Sequence, residues 1–228
     1  MGRKTYYVGM LIVTAVILLF VACGSNENGY SVDNTLSAPN NANQTTEHGS
    51  HTPPQLNARY NVGDIVRLGA FNWIVLDIQD GNALIIAEES IDRVSYQLGS
   101  GDALTWSSSS LKFELHDVFY SSFGDEDRAR IVETIIFTDM YPYFEDDSVD
   151  KASSRIFLLS IEEVERYFPN AESRILTWVN GNPTGWWLRS PGVAFGRVAH
   201  VGTDGEIVTR TDINGLFLLR PAMWISIN

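Results

Sequence analysis

Residues 60–228 are predicted to form one α+β domain, with antiparallel strands at both ends and short helices in the middle. Three observations lead there. Alternating apolar runs separated by glycine turns open this part of the chain, two helix-start signals occupy its middle, and a glycine-turned pair of runs with a closing apolar run ends it. Strands grouped apart from helices favour an α+β arrangement over a parallel α/β one. A length of about 170 residues suits a single domain with one substantial core.

In chain order, Val62–Gly69 alternates as a short strand ending at glycine, and Phe71–Ile78 alternates as a second. Asp80-Gly81 is a hairpin turn into a third strand, Ala83–Ala87. Trp73, Val75 and alternate residues of the third strand are expected on one buried face. Leu111, Leu115, Val118 and Phe119 recur at the spacing of one helical face, after serines able to cap it. A second helix is expected over about 125–134, with Asp125, Glu126 and Asp127 at its positive end. Arg155–Leu159 reads as a strand, and Ser160-Ile161-Glu162-Glu163 as a capping box starting a helix to about Phe168. Trp186 to Gly192 is expected as the central strand of the fold. Arg197–Val201 and Glu206–Arg210 flank a Gly-containing loop as a hairpin, and Met223–Ile227 closes the chain as a strand.

The rest of the chain has another character. A basic start at Arg3-Lys4, an apolar run from Val8 to Ala22 and small residues at its end make residues 1–22 a secretory signal. Leu19-Phe20-Val21-Ala22-Cys23 resembles the lipobox of bacterial lipoproteins, which implies cleavage before Cys23 and a lipid on its thiol. Residues 23–59 are Asn, Ser, Thr, Gly and Pro with few large apolar side chains. Such a segment cannot offset its ordering entropy and is expected to be a disordered tether. The expected location is the extracytoplasmic face of the cell membrane, held by the lipid on Cys23.

Charge and cysteine content exclude several classes. Without Arg3 and Lys4, 14 basic residues face 28 acidic ones, a formal charge of −14 against −12 for the whole sequence. This surface argues against binding a nucleic-acid backbone, which needs clustered cations. Cys23 is the only cysteine, so the domain has no disulfide, thiol nucleophile or cysteine metal cluster. The Glu145-Asp146-Asp147 run with Asp150 lacks the glycine and ligand spacing of an EF-hand. No metal site and no cofactor are expected.

Several motifs together resemble the bacterial domain-of-unknown-function family 6273. They are Gly63-Asp64 with Gly69, Trp73-Ile74-Val75-Leu76, Thr105-Trp106-Ser107 with Ser110-Leu111-Lys112, Trp186 to Gly192, and Arg220-Pro221-Ala222. Here Lys112 stands where the family usually has Arg, and Leu218-Leu219 where it usually has Gly-Val. The family's tail is similar to the C-type-lectin-like fold, so the resemblance implies that fold for the domain. It also implies export or membrane tethering.

The candidate binding residues are Trp178, Trp186, Trp187, Arg189 and Arg220. Trp186 and Trp187 point to opposite faces of a strand, so one indole is expected inside and the other nearer the surface, as a platform for a sugar ring. Arg189 and Arg220 are expected either as core cations satisfied by carbonyls and acids such as Asp77, Asp204 or Asp212, or as forks for a carboxylate. His116 and His200 could act as general bases, but no nucleophile elbow or His-Glu-x-x-His pattern accompanies them. The leading expectation is a cell-surface lipoprotein that binds an extracellular glycan or protein without catalysis. The alternatives are a hydrolase or transferase using His116 or His200 with acidic partners, and a structural envelope protein.

Overall fold

The structure, a computed structural model, describes residues 60–98, 105–139 and 149–228. The segments expected to be signal and tether, with Cys23, and the Glu145–Asp147 run lie outside these residues. Among the described residues no helix is long and apolar enough to cross a membrane.

The opening strands form as the sequence predicts. β1 (Ile65–Leu68), β2 (Phe71–Gln79) and β3 (Asn82–Ala87) make an antiparallel meander. Its second turn has positive φ at both Asp80 (48°) and Gly81 (76°), the primed turn that matches strand twist. Trp73 and Val75 are buried as expected, but β3 is buried on both faces from Ala83 to Ala87. The last strand, β12 (Ala222–Ser226), explains this. It pairs with β3 along its whole length, and β5 (Ile131–Val132) follows, giving the sheet order β1-β2-β3-β12-β5.

A second sheet has the order β10-β9-β8-β11-β4. At its centre lies β8 (Trp186–Pro191), every residue of which is buried. β9 (Arg197–Val201) and β10 (Ile207–Asp212) form the predicted hairpin on one side. On the other side β11 (Phe217–Leu219) runs parallel to β8, and β4 (Asp92–Val94) closes the edge. Gly185 is required at the entry to β8, because a Cβ there would stand 2.6 Å from the Val201 carbonyl oxygen. Both tryptophans of β8 are fully buried, so the expected exposed indole is not there. Trp186 packs edge-on to Phe168, while Trp187 packs against Tyr96, His200 and Phe217. Strand alternation holds, but both faces of this sheet are covered.

The middle of the chain departs furthest from expectation. The first helix starts at Ser109, whose side chain accepts from the Lys112 amide. It runs as α1 (Ser110–Phe113) and then opens into a π-helical turn (Glu114–Phe119). The π turn rotates the later residues out of phase, so Leu111 and Leu115 are buried while Val118 is exposed. α2 (Asp125–Arg130) ends earlier than the acidic start suggested, because Ile131 and Val132 leave it to pair with β12. β6 (Thr134–Asp139) and β7 (Val149–Ser154) form a two-stranded ladder that the sequence reading missed. Residues 156–159 are buried but carry only an isolated bridge, Phe157 to Ala222, rather than a full strand. The capping box at Ser160 starts α3 (Ile161–Tyr167), followed by the short α4 (Ala171–Arg174).

Candidate functional site

Where β6, the start of α3, the end of β8 and β12 meet, the surface folds into a cleft of about 520 Å³. One wall is β6, presenting Ile135, Phe137 and Asp139. The opposite wall is α3, with Glu162, Glu165 and Arg166, and Trp224 of β12 completes the lining. Ile135 and Phe137 are more than half exposed, 51% and 58%, which makes this wall an uncovered apolar strip.

The floor is built around Arg189. Its Nε donates to Thr138 Oγ1 (3.1 Å), one η nitrogen donates to the Leu158 carbonyl (2.7 Å), and the other to the Phe137 carbonyl (3.2 Å). Both η nitrogens also donate to the Glu163 carboxylate, a two-pronged ion pair. All five guanidinium N–H groups are therefore occupied. The same Glu163 carboxylate accepts the Ser160 amide at 2.9 Å, so the capping box and the ion pair share one side chain. Arg189 is thus a satisfied interior cation, and its acid is Glu163 rather than Asp77, Asp204 or Asp212.

The other polar groups of the floor are also engaged. Ser160 Oγ accepts the Glu163 amide (3.1 Å) and Ser190 Oγ accepts the Ile161 amide (3.0 Å), both from the first turn of α3. Arg166 on the rim reaches Asp77 at 3.5 Å. Burial pushes the Asp77 carboxyl upward, but hydrogen bonds from Gln79, Tyr167 and the Ile78 amide, with Arg166 nearby, outweigh it and hold the group below its ordinary value. The cleft therefore offers aromatic faces and carboxylate acceptors.

The other candidates lie elsewhere. Trp178 is half-buried against the core at the start of a tight loop, with its amide bonded to the Asn182 carbonyl at 2.9 Å. Arg220 is 4% exposed and lies 5.1 Å from the rings of both Phe168 and Trp186. Its Nε donates to the Ala87 carbonyl at 3.0 Å, and burial lowers its pKa to about 10. Of the five candidates only Arg189 lines the cleft. Trp186 and Arg220 meet each other instead. His116 is bonded to its neighbour Asp117 at 2.9 Å and lies 3.3 Å from Arg155. His200 is buried against Thr211, and burial pushes its imidazole down to about 4 despite Val208 and Asp204. Neither histidine lines the cleft. Among the described residues no group of three or more His, Cys, Asp or Glu is placed to hold a metal.

Sequence reasoning missed Phe137, Glu162, Glu165 and Trp224. Phe137 belongs to a strand the sequence reading did not identify. The other three sit on correctly predicted elements, and only the tertiary arrangement makes them neighbours. A family model described as "Domain of unknown function (DUF6273)" matches residues 80–227. No curated protein and no solved structure matches the chain.

Proposed function

We propose a ligand-binding role for this chain, which belongs to the domain-of-unknown-function family DUF6273. On this reading it is a bacterial cell-surface lipoprotein: a lipid on Cys23, a polar tether and a non-catalytic domain that takes an extracellular glycan in the β6–α3 cleft. One observation carries the reading. The cleft sets the aromatic faces of Phe137 and Trp224 beside the carboxylates of Glu162 and Glu165, while its buried arginine is already saturated. Stacking faces with a few placed polar groups are the usual composition of a small-molecule or sugar site. Kinship with the C-type-lectin-like fold is part of the same proposal, supported by the closure of the N-terminal meander by the last strand.

The test uses the full-length chain in detergent, screened on an array of soluble and cell-wall glycans. A saturable hit is expected, abolished by Trp224→Ala and weakened at least tenfold by Phe137→Ser. The exposed Phe137 should change without loss of folding, as followed by thermal unfolding. A blank array, or a hit indifferent to both substitutions, rejects the cleft as a glycan site. Capture of a protein ligand would redirect the proposal to the alternative ligand. Anchoring is tested separately. Cys23→Ala should abolish metabolic lipid labelling and release the protein from membranes, and retention of both would refute the anchor.

A further inference from the structure

Beyond its side chains, the β6–α3 cleft exposes the main chain of β6. This strand belongs to a two-stranded ladder and pairs with β7 alone. No main-chain hydrogen bond joins it to any other element among the described residues. Thr134, Ile135, Ile136 and Phe137 line the cleft in succession. Neighbouring residues of a strand point to opposite faces, here exposed at Ile135 and Phe137 and buried at Ile136. They line one cavity together because the strand turns its edge to it. This wall is an open edge, with main-chain donors and acceptors that no strand pairs.

Antiparallel strands send the N–H and C=O groups of alternate residues to opposite edges. The Phe137 carbonyl is taken at 3.2 Å by Arg189, outside the ladder on the cleft floor, which assigns Phe137, and with it Ile135, to the outer edge. There the N–H and C=O of Ile135 and the N–H of Phe137 have no partner among the described residues. With the Phe137 carbonyl held by Arg189, the edge is interrupted for a continuous added strand but open to a single amide. On the opposite wall, Glu162 and Glu165 are exposed and enter no ion pair with a described residue. A planar trans amide points its C=O and its N–H in opposite directions. One such amide laid across the cleft can accept from β6 and donate to α3 at the same time.

We infer that the cleft selects sugars carrying an N-acetyl group, an inference that rests on the glycan reading above and narrows it. The acetamido carbonyl accepts the outward N–H of Ile135 or Phe137, and the acetamido N–H donates to the carboxylate of Glu162 or Glu165. The methyl group and the sugar ring then lie against Phe137 and Trp224. A neutral hexose has no amide to bridge the two walls, and a free amino sugar has no carbonyl for β6.

Calorimetric titration of the full-length chain in detergent tests this with soluble linear oligomers of N-acetylglucosamine, glucosamine and glucose, matched in length. The N-acetylated oligomer should bind about tenfold more tightly than the glucose oligomer, the combined effect of two net hydrogen bonds. It should also slow hydrogen exchange at the Ile135 and Phe137 amides, read by NMR. Glu162→Ala combined with Glu165→Ala, both on the exposed face of α3, should remove most of the preference and leave thermal unfolding unchanged. Equal affinity for the glucose oligomer, or N-acetyl binding that leaves the β6 amides unprotected, overturns the amide bridge while the glycan reading stands. Tighter binding of the glucosamine oligomer overturns it in favour of charge selection by the two glutamates. A short random peptide library that displaces the sugar and protects β6 would give the edge to an added strand and overturn it equally. If no oligomer binds, the inference fails, and a blank glycan array would bring down the glycan reading with it.

Discussion

Arg189 in β8 and Arg220 between β11 and β12 are both buried among apolar side chains, yet the protein treats them in opposite ways. Arg189 has every N–H group bonded and an acid held two-pronged against it. Through those bonds it joins β6, the buried run 156–159 and α3 to β8. Arg220 has one carbonyl, two aromatic faces and no described acid. A charge that organises its surroundings is a fastener. One held by a single carbonyl and two rings joins far less to its strand. His200 shows a third solution to the same problem: buried and basic, it discards its proton.

The largest effect should come from the fastener. Arg189→Leu leaves Glu163 without its cation and frees two carbonyls, so a loss of about 3–5 kcal/mol is expected in urea unfolding. Glu163→Ala attacks the same joint from the other side and adds the loss of a capping box, for about 3 kcal/mol. If either costs under about 1 kcal/mol, the contrast drawn between the arginines is wrong.

The histidine gives a pH signature. The folded-state pKa of about 4 lies below the ordinary value of 6.5, so the unfolded chain takes the proton first. Stability is therefore unaffected above about pH 6.5 and falls by roughly 1–3 kcal/mol as pH drops toward 4. His200→Gln should flatten that part of the profile, and an unchanged slope would assign it to other groups. Ser160→Ala, which removes only the hydroxyl half of the box, should cost about 1 kcal/mol. The smallest change is expected at Arg220→Met in chloride buffer, within about 1 kcal/mol of neutral, because an unpaired buried cation gives way to an apolar chain of similar reach. A loss matching that of Arg189→Leu would mean that Arg220 is a second fastener.

How much of this the sequence revealed depends on range. Signals written within a few residues read correctly: the turn at Asp80-Gly81, the cap at Ser160, a cap among the serines before Leu111, and the hairpin of β9 and β10. Trp186 to Pro191 was legible as a central strand from its apolar start, Trp186-Trp187-Leu188, but the covering of both faces that buries both indoles was not. The failures lie where a distant strand intervened. Ile131 and Val132 look helical until β12 claims them, and Val118 looks buried until the π turn shifts its phase. The missed β6–β7 ladder has polar and small residues on β7, a weak strand signal that pairing with β6 overrides. The cleft was invisible for the same reason: its walls come from β6, α3 and β12, and no local pattern links them.

The position of β12 also dictates a timetable. The meander of β1 to β3 can form early from near neighbours, but β3 is then left with an unpaired, wholly apolar edge. Its partner lies far along the chain: Arg220, next to β12, reaches back 133 residues to Ala87. Such distant pairing is slow, and an open apolar edge recruits other strands while it waits. A chain cut short before Ala222 would therefore be adhesive as well as incomplete, and the full chain is most vulnerable to aggregation in the interval before its last strand docks.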